Sequence, residues 1–261
     1  MPYFDNHGVR THYQVDGQGP PLVLMHGTSG SVGDRYENGW VSGLKDDNRL
    51  ILIDHRGHGY SDKPHNPDSY SLEISVSDIV GVLNELGVDK ANYFGYSMGG
   101  YIAYGLAKYA PERLKALVIG AGASHPYERS MAATRRPFER NDMEAFFKNA
   151  LAGAPERADS DWYRVRKQAN DLKALNALTQ DRPDNSDIIP TMTMPCLVYV
   201  GEADSLYQDV KRCAEQMPNA NFVSLPGLDH GQAFRYSRDA MPHVKKFLLE
   251  VSRQPSTVRG S

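Results

Sequence analysis

The apolar positions along the chain fall into two rhythms. Leu22-Val23-Leu24-Met25, Arg49-Leu50-Ile51-Leu52-Ile53, Leu114 to Gly120 and Pro195 to Gly201 are nearly continuous apolar runs, the pattern of strands covered on both faces of a parallel sheet. Ala91 to Tyr96 and Phe222-Val223-Ser224-Leu225 predict two more strands. Between Leu72 and Leu86 the rhythm changes: Leu72, Val76, Ile79, Val80, Leu83 and Leu86 recur at spacings of three and four, which predicts an amphipathic helix. Further helices are expected over Tyr36 to Leu44, from Ser97 through Leu106 and Ala107 to before Pro111, over Asp209 to Met217, and over Ala240 to Val251. Gly8 to Val15 alternates, and the dense turn Asp16 to Pro21 behind it marks an antiparallel edge. Strands alternating with helices predict an α/β fold, a doubly wound and mostly parallel sheet with right-handed crossovers.

One segment breaks the alternation. From about Ser124 to Pro190 helical stretches are expected, roughly Asp142 to Leu151 and Asp161 to Leu178, without a strand. Lying between two sheet strands, this segment is expected to be a small helical cap inserted over the sheet edge. The organisation that follows is a core of residues 1–123 and 191–252, a cap of residues 124–190 and a frayed polar tail of residues 253–261. Met131, Phe138, Phe146, Phe147, Trp162 and Tyr163 within the insertion fit two readings, the cap's own core or a lining for an apolar group of modest size.

Composition narrows the function classes. The chain has 261 residues, enough for one large α/β domain with an insertion, and 40% hydrophobic with 23% charged residues is ordinary for a globular protein. A net charge of −3 with interspersed Lys and Arg provides no stripe for nucleic acid or anionic lipid, so neither is expected as a partner. Cys196 and Cys213 show no metal spacing and read as core thiols. No signal-peptide layout and no apolar run of bilayer length are present, which leaves a cytoplasmic enzyme, monomeric or a small homo-oligomer, as the expectation. No cofactor or metal is expected.

The chemistry concentrates at Gly95-Tyr96-Ser97-Met98-Gly99-Gly100, where a strand breaks at a glycine, shows one serine and resumes as a helix. A serine held on such a sharp turn has the placement of a nucleophile. Its hydroxyl needs a base, and the base needs an acid. In open α/β sheets, reactive groups lie beyond the carboxyl ends of strands. Two downstream loops qualify, Gly201-Glu202-Ala203-Asp204 and Pro226-Gly227-Leu228-Asp229-His230-Gly231.

These segments resemble the α/β-hydrolase family. Gly95 to Gly99 is similar to its Gly-x-Ser-x-Gly elbow, and the order Ser97, Asp204, His230 is the order of its triad. The resemblance implies His230 as base and Asp204, at the fourth position of Gly-x-x-Asp, as acid, with Glu202 as the alternative acid. His7, His12, His65 and His243 fall in segments read as surface or terminal. His26-Gly27-Thr28-Ser29 resembles the family's His-Gly-x motif. It implies an oxyanion hole from the amides of Met98 and Thr28, or Ser29 if the turn is shifted; His26 and Gly27, and Trp162 among the aromatic residues of the insertion, are expected toward the substrate. Asp54-His55-Arg56-Gly57-His58-Gly59-Tyr60-Ser61 resembles a structural loop of the family in which Arg56 ties loops together.

A serine at the elbow favours acyl transfer over the epoxide and carbon–halogen cleavage of relatives that carry Asp there. The expected substrate is a small-molecule ester, lactone or thioester. Carbon–carbon hydrolysis of diketones, cofactor-free perhydrolysis, cyanohydrin cleavage and ligand sensing with slow turnover are the alternatives left by the motif.

Overall fold

A computed structural model of the chain describes residues 1–125, 137–151, 161–179 and 182–253. An eight-stranded sheet runs through it: β1 (Tyr3–Asn6), β2 (Val9–Asp16), β3 (Pro21–Met25), β4 (Arg49–Ile53), β5 (Ala91–Tyr96), β6 (Leu114–Gly120), β7 (Cys196–Gly201) and β8 (Ala220–Leu225). Their order across the sheet is β1-β2-β4-β3-β5-β6-β7-β8, and the pairs from β4 to β8 are all parallel. The continuous apolar runs became central strands because helices cover both faces: Leu22, Leu50, Ile51 and Leu52 have no exposed surface. β2 is antiparallel to β4, as its alternation predicts, and β1 folds back onto β2 as the outermost strand.

The helices are α1 (Val32–Glu37), α2 (Trp40–Leu44), α3 (Leu72–Glu85), α4 (Met98–Tyr109), α5 (Met143–Leu151), α6 (Asp161–Ala169), α7 (Leu172–Leu178), α8 (Tyr207–Gln216), α9 (His230–Arg235) and α10 (Ser237–Arg253). α3 begins where Ser71 accepts a hydrogen bond from the Ile74 amide, and it buries Leu72, Val76, Ile79 and Leu83 of the predicted stripe, with Val82 buried in addition and Val80 and Leu86 half-buried. Among the described residues no helix is long and apolar enough to cross a membrane.

The structure corrects four expectations. The N-terminal segment forms β1, because the turn at His7-Gly8, both at positive φ, folds it back onto β2. The expected helix Tyr36 to Leu44 is two helices, α1 and α2, broken where Gly39 takes φ 77°. Asp161 to Leu178 is also divided, because the Asp171 side chain accepts from the Lys173 and Ala174 amides and so caps a new helix. Finally, His12 is not at the surface. It points inward from β2 with 0% exposure and bonds the Asp54 carboxylate through Nδ1 at 2.7 Å. The described part of 124–190 contains helices and no strand, while residues 254–261, nearly all of the expected tail, lie outside the described residues.

Candidate active site

Local sequence dictates the elbow. Ser97 joins β5 to α4 at φ 54° and ψ −110°, a conformation that a β-carbon disfavours. It persists because the turn leaves no alternative: a Cβ on Gly95 would collide with the Gly99 carbonyl, and one on Gly99 would lie 2.6 Å from Met25 O. The close approach of β3, β5 and α4 thus requires those glycines. The Ser97 amide donates to Gly120 O at 2.8 Å and fixes the turn against β6.

The three residues chosen for acid, base and nucleophile meet in one hydrogen-bonded chain. His230 Nε2 lies 3.0 Å from Ser97 Oγ, and His230 Nδ1 lies 2.7 Å from Asp204 Oδ2. Asp204 is 5% exposed, and its other carboxylate oxygen accepts the Leu206 amide at 2.9 Å. With Asp204 accepting from Nδ1–H, Nε2 faces the serine as the acceptor. Glu202 stands apart and accepts from Ser224 Oγ. His230 opens α9, a helix the hydrophobic pattern did not predict, capped by the Asp229 side chain on the Gln232 amide. Tyr96, beside the nucleophile, donates its hydroxyl to the His230 carbonyl at 2.6 Å. Burial pushes that phenol well above its ordinary range, so it stays a donor.

The opposite rim is the turn Gly27 to Gly30, closed by Gly30 N–H to Gly27 O at 3.0 Å, with Ser29 at φ 62°. Gly27 abuts the nucleophile: a Cβ there would sit 3.2 Å from Ser97 Cβ. The Ser29 amide donates to His58 Nε2 at 3.0 Å and is thereby occupied. Met98 is the first residue of α4, a position whose N–H has no acceptor within its helix. His26 lines the cleft but is 1% exposed, with both ring nitrogens occupied: Nδ1–H donates to Gly27 O and Nε2 accepts the His55 amide. It shapes the turn from within. Burial lowers His26, and lowers His55 and His58 well below the usual imidazole range, which keeps them neutral acceptors and donors. Asp54 stands among them. Burial pushes it up, but His12, His26 and the amides of Val32 and Tyr60 outweigh burial and hold it below its ordinary value. Among the described residues no group of His, Cys, Asp or Glu is disposed to hold a metal ion.

The cleft above Ser97 has about 150 Å³ of free volume. Its walls include residues the sequence did not single out: Asp34 on α1 and Asn38 at its C-terminal end, Arg166 on α6, and Phe234 and Arg235 on α9. Arg166 reaches from the insertion to Ser29 Oγ at 2.9 Å and Asp34 Oδ1 at 3.4 Å, and Asn170 Nδ2 donates to Ser29 O at 3.1 Å. No local motif signals contacts between groups 132 to 141 positions apart. The aromatic reading of the insertion resolves in part. Phe138 and Phe146 are buried against each other, centroids 5.0 Å apart, as core. The side chain of Trp162 lies outside the described residues, as do those of Phe147 and Tyr163 and the whole of Met131.

Beneath the site, Arg35 is 1% exposed and donates through Nη2 to Met25 O at 2.6 Å and to Phe94 O at 3.3 Å. Its guanidinium carbon lies 4.3 Å from the Phe94 ring centre and 5.2 Å from that of Phe234. Burial pushes this guanidinium down to about 10.

Residues 20–224 match the family model described as the alpha/beta hydrolase fold. A Bacillus subtilis (strain 168) protein bearing the provisional name 2-succinyl-6-hydroxy-2,4-cyclohexadiene-1-carboxylate synthase is 29% identical over 94% of this chain and 96% of its own length. Among solved structures, the chain is similar to Est816, described as an N-acyl homoserine lactone degrading enzyme, at 27% identity and a TM-score of 0.76 over 94% of this chain and 100% of that one. It is also similar to the esterase RhEst1 from Rhodococcus sp. ECU1013, at 26% identity and a TM-score of 0.80 over 96% of this chain and 98% of the other.

Proposed function

The chain belongs to the α/β-hydrolase family, whose membership supports hydrolase chemistry, and on that premise we propose that it is a serine hydrolase cleaving a small carboxylic ester or lactone through an acyl-enzyme. The observation that carries this reading is the continuous hydrogen-bonded chain from Ser97 Oγ through His230 to Asp204. Ser97 Oγ attacks the carbonyl carbon while its proton passes to His230 Nε2, and Asp204 stabilises the imidazolium. Negative charge on the carbonyl oxygen is met by the amides of Thr28 and Met98. The bond to the leaving oxygen breaks as that oxygen takes the proton from His230, leaving an acyl group on Ser97. A water molecule then repeats the sequence, giving its proton to His230, and releases the acid.

The lactone-degrading and esterase activities carried in the names of two structural relatives support the same choice. The test is hydrolysis of p-nitrophenyl acetate and butyrate at about pH 8 by the wild type and by Ser97→Ala, with folding checked by circular dichroism. The expected loss in the variant is at least about a thousandfold in kcat. A folded wild type inactive on both esters would overturn the esterase reading and favour carbon–carbon hydrolysis or ligand sensing.

A further inference from the structure

Asn170 directly follows α6, is buried, and is not among the residues lining the cleft. Its Nδ2 donates twice, to Arg166 O at 2.7 Å, one turn back in the helix, and to Ser29 O at 3.1 Å. Both neighbours are carbonyl oxygens, so only the NH2 end of the amide fits there. Ser29 O belongs to the same peptide unit as the Gly30 N–H, which donates to Gly27 O at 3.0 Å. Gly27 O belongs in turn to the peptide unit that carries the Thr28 N–H. A trans peptide is planar with its C=O and N–H pointing opposite ways, so fixing the oxygen fixes the direction of the hydrogen. The contacts therefore run from Asn170 through two peptide units to an amide proposed for the oxyanion.

Each bond in such a chain polarises the next. A donor on Ser29 O makes the Gly30 N–H a stronger donor to Gly27 O, and that makes the Thr28 N–H a stronger donor in its turn. His26 Nδ1–H donates to the same Gly27 O at 2.8 Å and acts in the same sense. Ser29 itself stands at φ 62°, a conformation that residues other than glycine adopt at a cost. It is held there from two directions: its N–H donates to His58 in the core, while its O and Oγ accept from Asn170 and Arg166 of the insertion.

We propose that Asn170 is a positioning residue for the oxyanion hole: through the Ser29–Gly30 and Gly27–Thr28 peptide units it aims and strengthens the Thr28 N–H, which makes the insertion part of the machinery of turnover. The oxyanion exists only in the tetrahedral state, so loss of the Asn170 donor lowers kcat and leaves KM in place. The proposal rests on the ester-hydrolase reading for its effect on turnover, whereas the relay of peptide units is measurable without turnover.

The experiment compares the wild type with Asn170→Asp, Asn170→Leu and His65→Ala on p-nitrophenyl butyrate, with kcat referred to the folded fraction by circular dichroism. Asn170→Asp keeps the shape of the side chain without its donor, and Asn170→Leu removes the donor without adding a charge. His65→Ala cuts a different contact of the insertion, that of His65 Nε2 with Asp171 Oδ2 at 2.9 Å. The expected result is a fall in kcat of about tenfold in both Asn170 variants, with KM within about twofold. The inhibition constant of butylboronic acid, which forms a tetrahedral adduct on a serine, should rise by the same factor. His65→Ala should keep the wild-type kcat and KM. An unchanged kcat, a rise in KM alone, or an equal loss in His65→Ala would overturn the proposal while leaving the esterase reading in place. In parallel, hydrogen exchange at the Gly30 amide should show lost protection in Asn170→Leu, with the amides of β5 unchanged. Protection at Gly30 equal to that of the wild type would overturn the relay. A wild type that turns over no ester, with protection at Gly30 still lost in the variant, would overturn the esterase reading and retain the relay.

Discussion

Arg56 and Arg35 are 3% and 1% exposed, yet the protein holds them in opposite ways. Arg56 meets Asp78 with two hydrogen bonds of 2.7 Å and donates to Ser69 O at 2.9 Å, so its charge is matched and its donors are used. Among the described residues Arg35 has no carboxylate in its hydrogen bonds, only two backbone carbonyls and aromatic faces, and its Nε and Nη1 are buried without a hydrogen-bond partner. The first arrangement belongs to a loop staple, joining the Asp54 to Ser61 loop to α3. The second is expensive by comparison, since the cation is taken out of water without a hydrogen-bonded carboxylate, and the carbonyl dipoles, ring quadrupoles and the nearby Asp34 only partly compensate. What it obtains is position: Met25 and Phe94 lie just before the turn that carries Thr28 and the elbow that carries Ser97. A buried cation without a hydrogen-bonded carboxylate thus lies beneath the candidate site, and one paired to a carboxylate lies in the loop staple.

The comparison breaks most visibly at the pair. Asp78→Ala would leave the Arg56 cation buried and unmatched, at a cost of about 3–5 kcal/mol. The expected fall in Tm is on the order of 10 °C, read by thermal denaturation, with the folded fraction retaining its kcat. A loss of kcat without loss of Tm would reverse the roles assigned to the two arginines.

Arg35→Met should behave the other way. Burial depresses the folded-state pKa of Arg35 to about 10, so it disfavours the charged form, and at neutral pH that form costs stability. Replacing it with an apolar side chain of similar length should leave Tm unchanged or slightly raised. The ends of β3 and β5 would lose their shared donor, and kcat should drop roughly ten- to a hundredfold with KM within about twofold. A fall in Tm matching that of Asp78→Ala would show Arg35 to be structural.

The smallest effect concerns acid. His26, His55 and His58 have folded pKa values depressed below 6.5 by burial. The unfolded chain therefore binds more protons as pH falls below 6.5, and stability present above that value is lost progressively toward the folded values. The loops around Arg56 depend on these rings: His55 and His58 both donate from Nδ1–H to Arg56 O, and His58 accepts the Ser29 amide. The surroundings of Arg35 are tyrosines raised above 10 by burial, Tyr93, Tyr96 and Tyr199, which do not titrate in this range. Hydrogen exchange at pH 7 and pH 5, corrected for intrinsic rates, should show lost protection at the amides of Ser29 and His55 and none in β5. Uniform loss across both regions would contradict the distinction.

Ser97, Asp204 and His230 were legible because each belongs to a pattern local in the chain, a strand run followed at once by the residue that chemistry needs at a strand's carboxyl end. The choice between the Thr28 and Ser29 amides was not legible in the sequence, and the engagement of the Ser29 amide by His58, which bears on it, exists only in the folded chain. His12 shows where that reasoning stops. The alternation of β2 marks two faces, but only the hairpin with β1 and the packing of the Asp54 loop decide that the face bearing His12 is sealed. The breaks at Gly39 and Asp171 were missed because periodicity continues across a cap when the next helix keeps the same apolar face.

The sequence by itself determined the order of strands and helices, the strained elbow and the residue types at the strand ends, because these depend on backbone sterics and on burial summed over neighbouring positions. Only the tertiary structure decided the Arg35 clamp, the bridge from Arg166 to Ser29 and Asp34, and the donation of the Asn38 amide to the Asp34 carbonyl. The reason is physical: a hydrogen bond or ion pair is fixed within tenths of an ångström by elements that meet only after the chain has folded. Hydrophobic patterning, which is nondirectional, specifies which faces must be buried without specifying which polar groups will then face each other.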